Sequence, residues 1–405
     1  MAECRICGGE VDEFFDFGRQ PVSDSFVTPE TAGSEFFFRL AAGICTSCTM
    51  VQLIEEVPRE RMFHEDYPYR SATSAVMHDH FEAFARRLLE TELAGDDPFI
   101  VEIGSNDGTM LKTFRKEGTR HLGVDPSGQV ADFARAEGVR VLTAFFEEST
   151  AREIAAEDGP ADVIFSANTT SHIPYMDSIF RGVDALLAPD GVLVLEDRYL
   201  GSIMAANAFD QIYDEHFYLF SVSSVGAMAR TFGFELVDAE PLPVHGGSMR
   251  YTIARPGVRT PKAAVAELLE RERRQGLASP ETYRRFTEGV ERSCTELVRL
   301  LEKLRAEGRT VVGYGATAKS ATVINYCGIG PDLVPFICDS TPAKQGRLTP
   351  GMHIPVQPPE EFSKPYPDYA LLFAWNHAQE IMAKEQGFRE AGGRWILYVP
   401  EVHIL

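Results

Sequence analysis

The chain lacks any uncharged apolar run approaching the roughly 20 residues that a membrane span needs, so no membrane partner is expected. Its first residues, MAECRICGGE, have neither a basic start nor an apolar core. No secretory signal is therefore read there, and a cytoplasmic protein is expected. Positive charge is scarce: 39 Lys+Arg face 60 Asp+Glu, for a net charge of −21. That balance argues against nucleic acid and anionic lipid as general partners. An anionic small molecule would need a local pocket of Arg, Lys and backbone N–H groups. Seven cysteines in 405 residues are not spaced as a disulfide framework, and a chain of this size needs none. Repeats of solenoid length and low-complexity runs are also missing. What is present is 44% hydrophobic and 24% charged residues, enough for cores in two or three domains.

Four of the cysteines carry a strong signal. Cys4 and Cys7 stand in CRIC, and Cys45 and Cys48 in CTSC. Each C-x-x-C can present two thiolates from one tight turn, and two such pairs close a tetrahedral zinc sphere. Four thiolates leave the metal no open position, so the zinc is expected to be structural. The competing reading, a redox dithiol, wants a βαβ setting that this irregular, aromatic segment does not offer. Cys294, Cys327 and Cys338 are scattered singly and read as small buried hydrophobes.

Three blocks follow from the patterning: a zinc-binding domain over 1–70, a cofactor-binding domain over 71–256 and a smaller lobe over 257–405. In the first, FFDFG and FFFRL read as short strands. In the second, HDHFEAFARRLLETEL has helical periodicity and leads into the strand FIVEIG. The segments HLGVD, RVLTA, ADVIFSAN, GVLVLED, FELVDAEP and SMRYTIARP are strand candidates, most of them separated by helical stretches. Alternation of this kind predicts a doubly wound parallel sheet. A charged helical connector over 262–308 leads to a second strand, Gly-rich turn and helix at RTVVGYGATAKSATVINYCG, so the last block is a further α/β lobe. The fold class is α/β throughout.

The turn in VEIGSNDGTMLKTF points to a nucleoside cofactor. Gly104 and Gly108 let the backbone approach a ligand at a helix start, with Asn106 and Asp107 between them. Asp125, at the end of HLGVD, is placed to accept hydrogen bonds from ribose hydroxyls. The spacing is not the dinucleotide G-x-G-x-x-G, and Glu102 and Asp107 would repel a pyrophosphate. The same acids suit S-adenosylmethionine, which carries a sulfonium and an ammonium and no phosphate.

Candidate chemistry gathers further along. SANTTSHIP puts Asn168 and His172 at the carboxyl end of the sheet, where ligands sit in open α/β folds. DQIYDEHFYLFS sets Tyr213, Glu215 and His216 together, and a carboxylate beside an imidazole can fix its tautomer and raise its basicity. VHGGSMRY adds Arg250, either an anion contact or a solvated turn. In GYGATAKS, Lys319 and Ser320 follow a Gly turn able to hold a diphosphate through its N–H groups. The spacing is not that of a Walker A loop.

Taken in order, CRIC…CTSC, HEDYPYRS, EIGSNDG, GVDPS, SAN…SHIP, DQIYDEHFYLFS, HGGSMR and GYGATAKS resemble the sugar C-methyltransferases of deoxysugar biosynthesis, over nearly the whole chain. The resemblance implies an N-terminal zinc-binding domain, a central Rossmann-like methyltransferase domain and a C-terminal α/β lobe. It also implies transfer of a methyl group to a ring carbon, often carbon 3, beside the keto group of a thymidine-diphosphate-linked keto-deoxysugar. Carried over by motif, the active-site tyrosines are Tyr67 and Tyr213, the pocket pair Asn168 and His172, and the Glu–His pair Glu215 and His216. His216 is then the base and Glu215 its orienter, with His172, Tyr67 and Tyr213 as donors to the enolate or a neighbouring hydroxyl. The two histidines can exchange these roles. Lys319, Ser320 and Asn376 are expected to hold the nucleotide-sugar, the competing reading being a lobe that only closes the cleft.

Two stretches depart from the family pattern. Thr169-Thr170-Ser171 replaces a mostly apolar segment, and Asp214 stands where a His is common. These polar side chains either recognise a different sugar substituent or replace packing behind the site. An O- or N-methyltransferase and a non-catalytic zinc scaffold are the alternatives to sugar C-methylation. The sequence leaves the sugar, the ring position and the oligomeric state open.

Overall fold

A computed structural model describes residues 2–62 and 75–405, and three sheets hold its strands. The first is antiparallel, in the order Ala2–Glu3, Glu10–Pro21, Phe37–Cys45, Val51–Leu53 and Tyr218–Leu219. Alternation along Glu10–Pro21 buries Val11, Phe15 and Phe17 and turns Asp12 and Asp16 to solvent, as period two requires. The last strand comes from far along the chain, inside the segment read from sequence as a separate cofactor domain.

The second sheet carries the parallel strands Leu187–Arg198, Ala161–Ala167, Phe99–Ile103, Arg120–Val124 and Val141–Leu142, side by side in that order. The chain starts at Phe99–Ile103, winds to one side, then returns to the other. The switch point therefore falls between Phe99–Ile103 and Ala161–Ala167, and the crevice beyond their carboxyl ends is where such sheets bind ligands. Gly104 and Asn168 stand at that crevice. FELVDAEP and SMRYTIARP do not continue the parallel pattern. Glu235–Leu242 and Ser248–Ala254 pair antiparallel with each other, and the latter pairs antiparallel with Leu187–Arg198. Residues 243–247 between them are far shorter than the dozen or so that a parallel crossover needs.

The third sheet repeats the doubly wound plan. Val356–Gln357, Ile337–Cys338, Val311–Tyr314, Tyr369–Leu372 and Arg394–Leu397 are parallel, and His403–Ile404 closes the edge antiparallel. Its switch point lies between Val311–Tyr314 and Tyr369–Leu372, just before the turn at Gly315 and before Asn376. The connector is two helices, Ala263–Gln275 and Pro280–Ala306. Gly276 in the left-handed region (φ +68°) ends the first, and Pro280 opens the second, an arrangement that suits both residues. The long helix is no free linker: Phe14 of the first sheet packs on Tyr283 and Phe286.

Residues 209–219 lie where all three units meet. The Ser23 N–H donates to Asp214 Oδ1 (3.0 Å) and the Leu53 N–H to the Phe217 carbonyl (2.8 Å). From the C-terminal lobe, the Thr322 hydroxyl donates to the Ile212 carbonyl (2.8 Å), and Trp375 Nε1 (2.6 Å) and the Tyr398 hydroxyl (2.7 Å) donate to Asp210 Oδ2.

Candidate active site

The four thiols of Cys4, Cys7, Cys45 and Cys48 converge, with all sulfurs within 4.8 Å of one another. Cys4 and Cys48 Sγ are 3.5 Å apart, as are Cys7 and Cys45 Sγ. Zn–S bonds of about 2.3 Å in a tetrahedron put sulfurs about 3.8 Å apart, so the donor set fits zinc with little adjustment. Backbone N–H groups of Ile6, Ser47 and Cys48 approach the Cys4 and Cys45 sulfurs at 3.4 Å.

At the switch point of the second sheet a cavity of about 130 Å³ is lined by Glu102, Gly104, Asn106, Asp125, Phe145 and Asn168, among others. Asp125 is held from both sides, by the Asn106 N–H (2.8 Å) and the Ser127 N–H (2.9 Å). Each oxygen keeps a lone pair for a further donor. Glu102 is buried, and its Oε2 has no hydrogen-bond partner among the described residues. Burial, then Asp107, Asp125 and Glu196, push its carboxyl well above the usual range. A buried orphan acceptor beside a second carboxylate is a mismatch for phosphate and a fit for the cationic, hydroxyl-rich S-adenosylmethionine. Asp107 is buried and takes the Thr109 hydroxyl at 2.6 Å, so it braces the turn and does not line the cavity. Gly104 (φ +71°) packs against Thr169, where a Cβ would collide with the hydroxyl. Gly108 (φ +71°) is closed off likewise by Ala134 and Val139.

This pocket shares Met77, Asn168 and His172 with a cleft of about 1200 Å³. Tyr213, Glu215, Arg198 and His245 line the cleft near the junction. His216 stands behind them: its ring is 4.1 Å from that of Tyr213 and 5.4 Å from that of His172. His216 Nδ1 is 2.6 Å from the Gln211 carbonyl oxygen. A carbonyl only accepts, so Nδ1 holds the proton and Nε2 keeps its lone pair. The group that meets His216 Nδ1 is therefore a backbone carbonyl. Burial, followed by Arg198 and His172, holds the His216 imidazole well below its usual range. Burial and Arg198 bring His172 down to about 3. Burial, then Glu215, raise the Tyr213 phenol, which stays a donor. Tyr67 falls outside the described residues.

The departures from the family pattern are internal. The Thr170 hydroxyl donates to Ser166 Oγ (2.8 Å), and the Ser171 hydroxyl to Asp197 Oδ1 (2.7 Å). Of these residues Thr169 lines the smaller of the two cavities, while Thr170, Ser171 and Asp214 line neither, and Asp214 accepts from the Ser23 N–H. Burial pushes the Asp214 carboxyl up to about 7. These residues brace the site from behind.

The cleft extends to the C-terminal lobe, where Gly315, Lys319 and Asn376 line it. Asn376 Oδ1 is buried with no partner among the described residues. Lys319 Nζ lies 4.0 Å over the Trp375 ring and 3.5 Å from Asp210 Oδ2. Burial outweighs Asp210 and lowers Lys319 to about 8. The Ser320 hydroxyl instead donates to the Thr317 carbonyl (2.6 Å), within the turn. Arg250 is placed elsewhere: buried in the sheet, it pairs with Glu196 (2.5 Å) and Glu240 (3.1 Å) and lines neither cavity. Sequence reasoning missed Arg198 at the junction and Lys344, which pairs with Asp24 across the cleft (3.0 Å). For Arg198, its position at the carboxyl end of a predicted strand was the signal available.

Family models match all three parts: "Putative zinc binding domain" at 4–63, "Methyltransferase domain" at 76–239 and "C-methyltransferase C-terminal domain" at 243–400. The C-methyltransferase NovU of Streptomyces niveus is 36% identical over 409 aligned residues, which span 100% of this chain and 96% of that relative. The chain belongs to the sugar C-methyltransferase family. It is an S-adenosylmethionine-dependent methyltransferase with a zinc-binding N-terminal domain, and the scaffold reading is set aside. Solved structures similar to it include magnesium protoporphyrin IX methyltransferase of Synechocystis, with TM-score 0.34, 12% identity and coverage of 45% of this chain and 88% of that one. A methyltransferase of Anabaena variabilis gives TM-score 0.33 and 17% identity, covering 50% of this chain and 100% of that one.

Proposed function

We propose that this C-methyltransferase acts on a ring carbon, carbon 3 in the first instance, beside the keto group of a thymidine-diphosphate-linked keto-deoxysugar. The observation that carries the reading is the shared wall. A pocket suited to a cationic methyl donor opens at Met77, Asn168 and His172 into a cleft that runs on to a Gly turn with Lys319 and Asn376. A nucleotide-sugar laid along the cleft puts its sugar at the shared wall and its diphosphate toward the C-terminal lobe. Domains of 1–70, 71–256 and 257–405 then supply zinc bracing, chemistry and nucleotide grip.

S-adenosylmethionine supplies an electrophilic methyl group, held in this reading by Glu102, Gly104, Asn106, Asp125 and Asn168, with Asp107 and Gly108 shaping the turn. A ring carbon becomes a nucleophile only on losing a proton beside the carbonyl. One of two histidines takes that proton: His172, which lines both cavities, or His216 behind it, whose Nε2 lone pair is fixed by the Nδ1 bond to Gln211. The phenol of Tyr213 donates to the sugar oxygens, and Glu215 sets the sugar's orientation at the junction. A neutral, buried imidazole is a weak base, so the reaction depends on stabilising the enolate as it forms.

Mass spectrometry after incubation with S-adenosylmethionine and a panel of thymidine-diphosphate keto-deoxysugars in deuterated buffer tests the reading. The expected result is a methyl gain on one sugar, with deuterium at the carbon beside the carbonyl. Methyl gain on oxygen or nitrogen would replace it by the O- or N-methyltransferase reading.

A further inference from the structure

Arg198 ends the strand Leu187–Arg198 and lines the cleft beside Asn168 and His172. We propose that Arg198 is a catalytic residue whose guanidinium holds the oxygen of the substrate enolate. The proposal rests on the enolate reading above and names the group that supplies the positive charge.

Methyl transfer must occur where the cofactor pocket opens into the cleft, at Asn168 and His172. Arg198 Nη1 is 3.3 Å from Asn168 Oδ1, which places the cation at that opening. Its nearest carboxylate, Asp197, is 3.8 Å away and already accepts from the Ser171 N–H (3.1 Å), the Ser171 hydroxyl (2.7 Å) and the Arg198 N–H (3.2 Å). No described residue accepts from Nε or Nη2, leaving those donors for a ligand. The other cations that line the cleft, Lys319, Lys344, Arg347 and Lys384, belong to the C-terminal lobe. Lys319 sits over Trp375 and faces Asp210, Lys344 is paired with Asp24, and Arg347 donates to the Phe26 carbonyl at 3.2 Å.

The electron flow balances without any further reagent. The C–H bond beside the carbonyl breaks, its proton goes to the imidazole and its electron pair becomes the ring C=C bond. The carbonyl π pair moves to oxygen, and the resulting negative charge meets a guanidinium that cannot itself give up a proton at neutral pH. The same cation lowers the basicity of His172 and His216. A guanidinium that weakened the base and did nothing else would oppose the reaction. Its cost is recovered when the enolate oxygen develops against it, because a donor fixed where charge develops stabilises the transition state more than the ground state.

The test uses the full chain with Arg198 replaced by Gln or by Lys, and the keto-sugar that the wild-type protein methylates. Arg198→Gln is expected to lower kcat by about 10²–10³, the loss typical of one oxyanion donor, with KM within about three-fold. Arg198→Lys should recover part of kcat. Exchange of the sugar proton without S-adenosylmethionine should fall in parallel, while S-adenosylmethionine affinity holds. The His172 imidazole should titrate higher in Arg198→Gln by NMR. Unchanged kcat, or a raised KM with kcat intact, would overturn the assignment and make Arg198 a binding group only. A wild-type protein that neither exchanges nor methylates any keto-sugar would sink the enolate reading, and this role with it.

Discussion

At the scale of single residues, the site depends on imidazoles kept neutral by burial. His216→Asn preserves a donor toward the Gln211 carbonyl but removes the Nε2 lone pair. The expected outcome is a loss of methylation by at least about 10²-fold with S-adenosylmethionine binding retained, measured by calorimetry beside turnover. Undiminished turnover would show that His216 is not the base. His172 adds a pH signature. Its folded-state value is about 3 against an ordinary 6.5, so the unfolded chain binds a proton that the folded chain refuses. Its contribution to stability is therefore complete above about pH 6.5 and lost as pH falls toward 3, at about 1.4 kcal/mol per unit. Denaturant melts of the wild type and His172→Gln between pH 4.5 and 7.5 isolate this group, because opposing shifts such as that of Asp214 cancel in the difference. The wild type should lose ground on the variant with each step toward acid. A constant gap would contradict the assignment.

At the scale of elements, the turn after Phe99–Ile103 is shaped from within. Gly104→Ala places a Cβ at φ +71° and into the Thr169 hydroxyl. The expected cost is roughly 1–3 kcal/mol, seen as a lower Tm and weaker S-adenosylmethionine binding. Adding Thr169→Ala should return only part of it, since the backbone strain remains. Elements of this kind are also what the sequence shows best. The cofactor turn, Asp125 after the second strand, Asn168 and His172 at a carboxyl end and the two C-x-x-C turns are all legible, because each is a local pattern tied to a local geometry. The antiparallel pair at the sheet edge was legible too, in the short link of residues 243–247, but strand-and-helix alternation overrode it. Pairings between distant segments carry no local mark. Nothing in DQIYDEHFYLFS announces that Gln211 fixes His216, or that Asp214 answers to Ser23. Arg250 reads as a free cation until the fold sets Glu196 and Glu240 beside it.

At the scale of the molecule, the three units are not beads on a string. Tyr218–Leu219 completes the zinc-domain sheet two residues after His216, and Asp210, six residues before it, is gripped by Trp375 and Tyr398 of the C-terminal lobe. The segment proposed to carry the base is thus held between two anchors. Stripping zinc with a chelator should therefore lower methylation as well as Tm, although the four cysteines lie outside both cavities. Returning zinc should restore both together. Full activity in zinc-free protein, verified by metal analysis, would mean that the first sheet holds without its metal.

The borrowed strand also sets an order of events during synthesis. Val51–Leu53 is buried in the finished protein, yet one edge of it waits for Tyr218–Leu219. At translation rates of about 5–20 residues per second, that edge leaves the ribosome roughly 8–33 s before its partner. An apolar strand edge open for that long invites pairing with the wrong chain. The strand that closes that edge lies two residues after His216, so the edge stays open until the segment carrying His216 has been made.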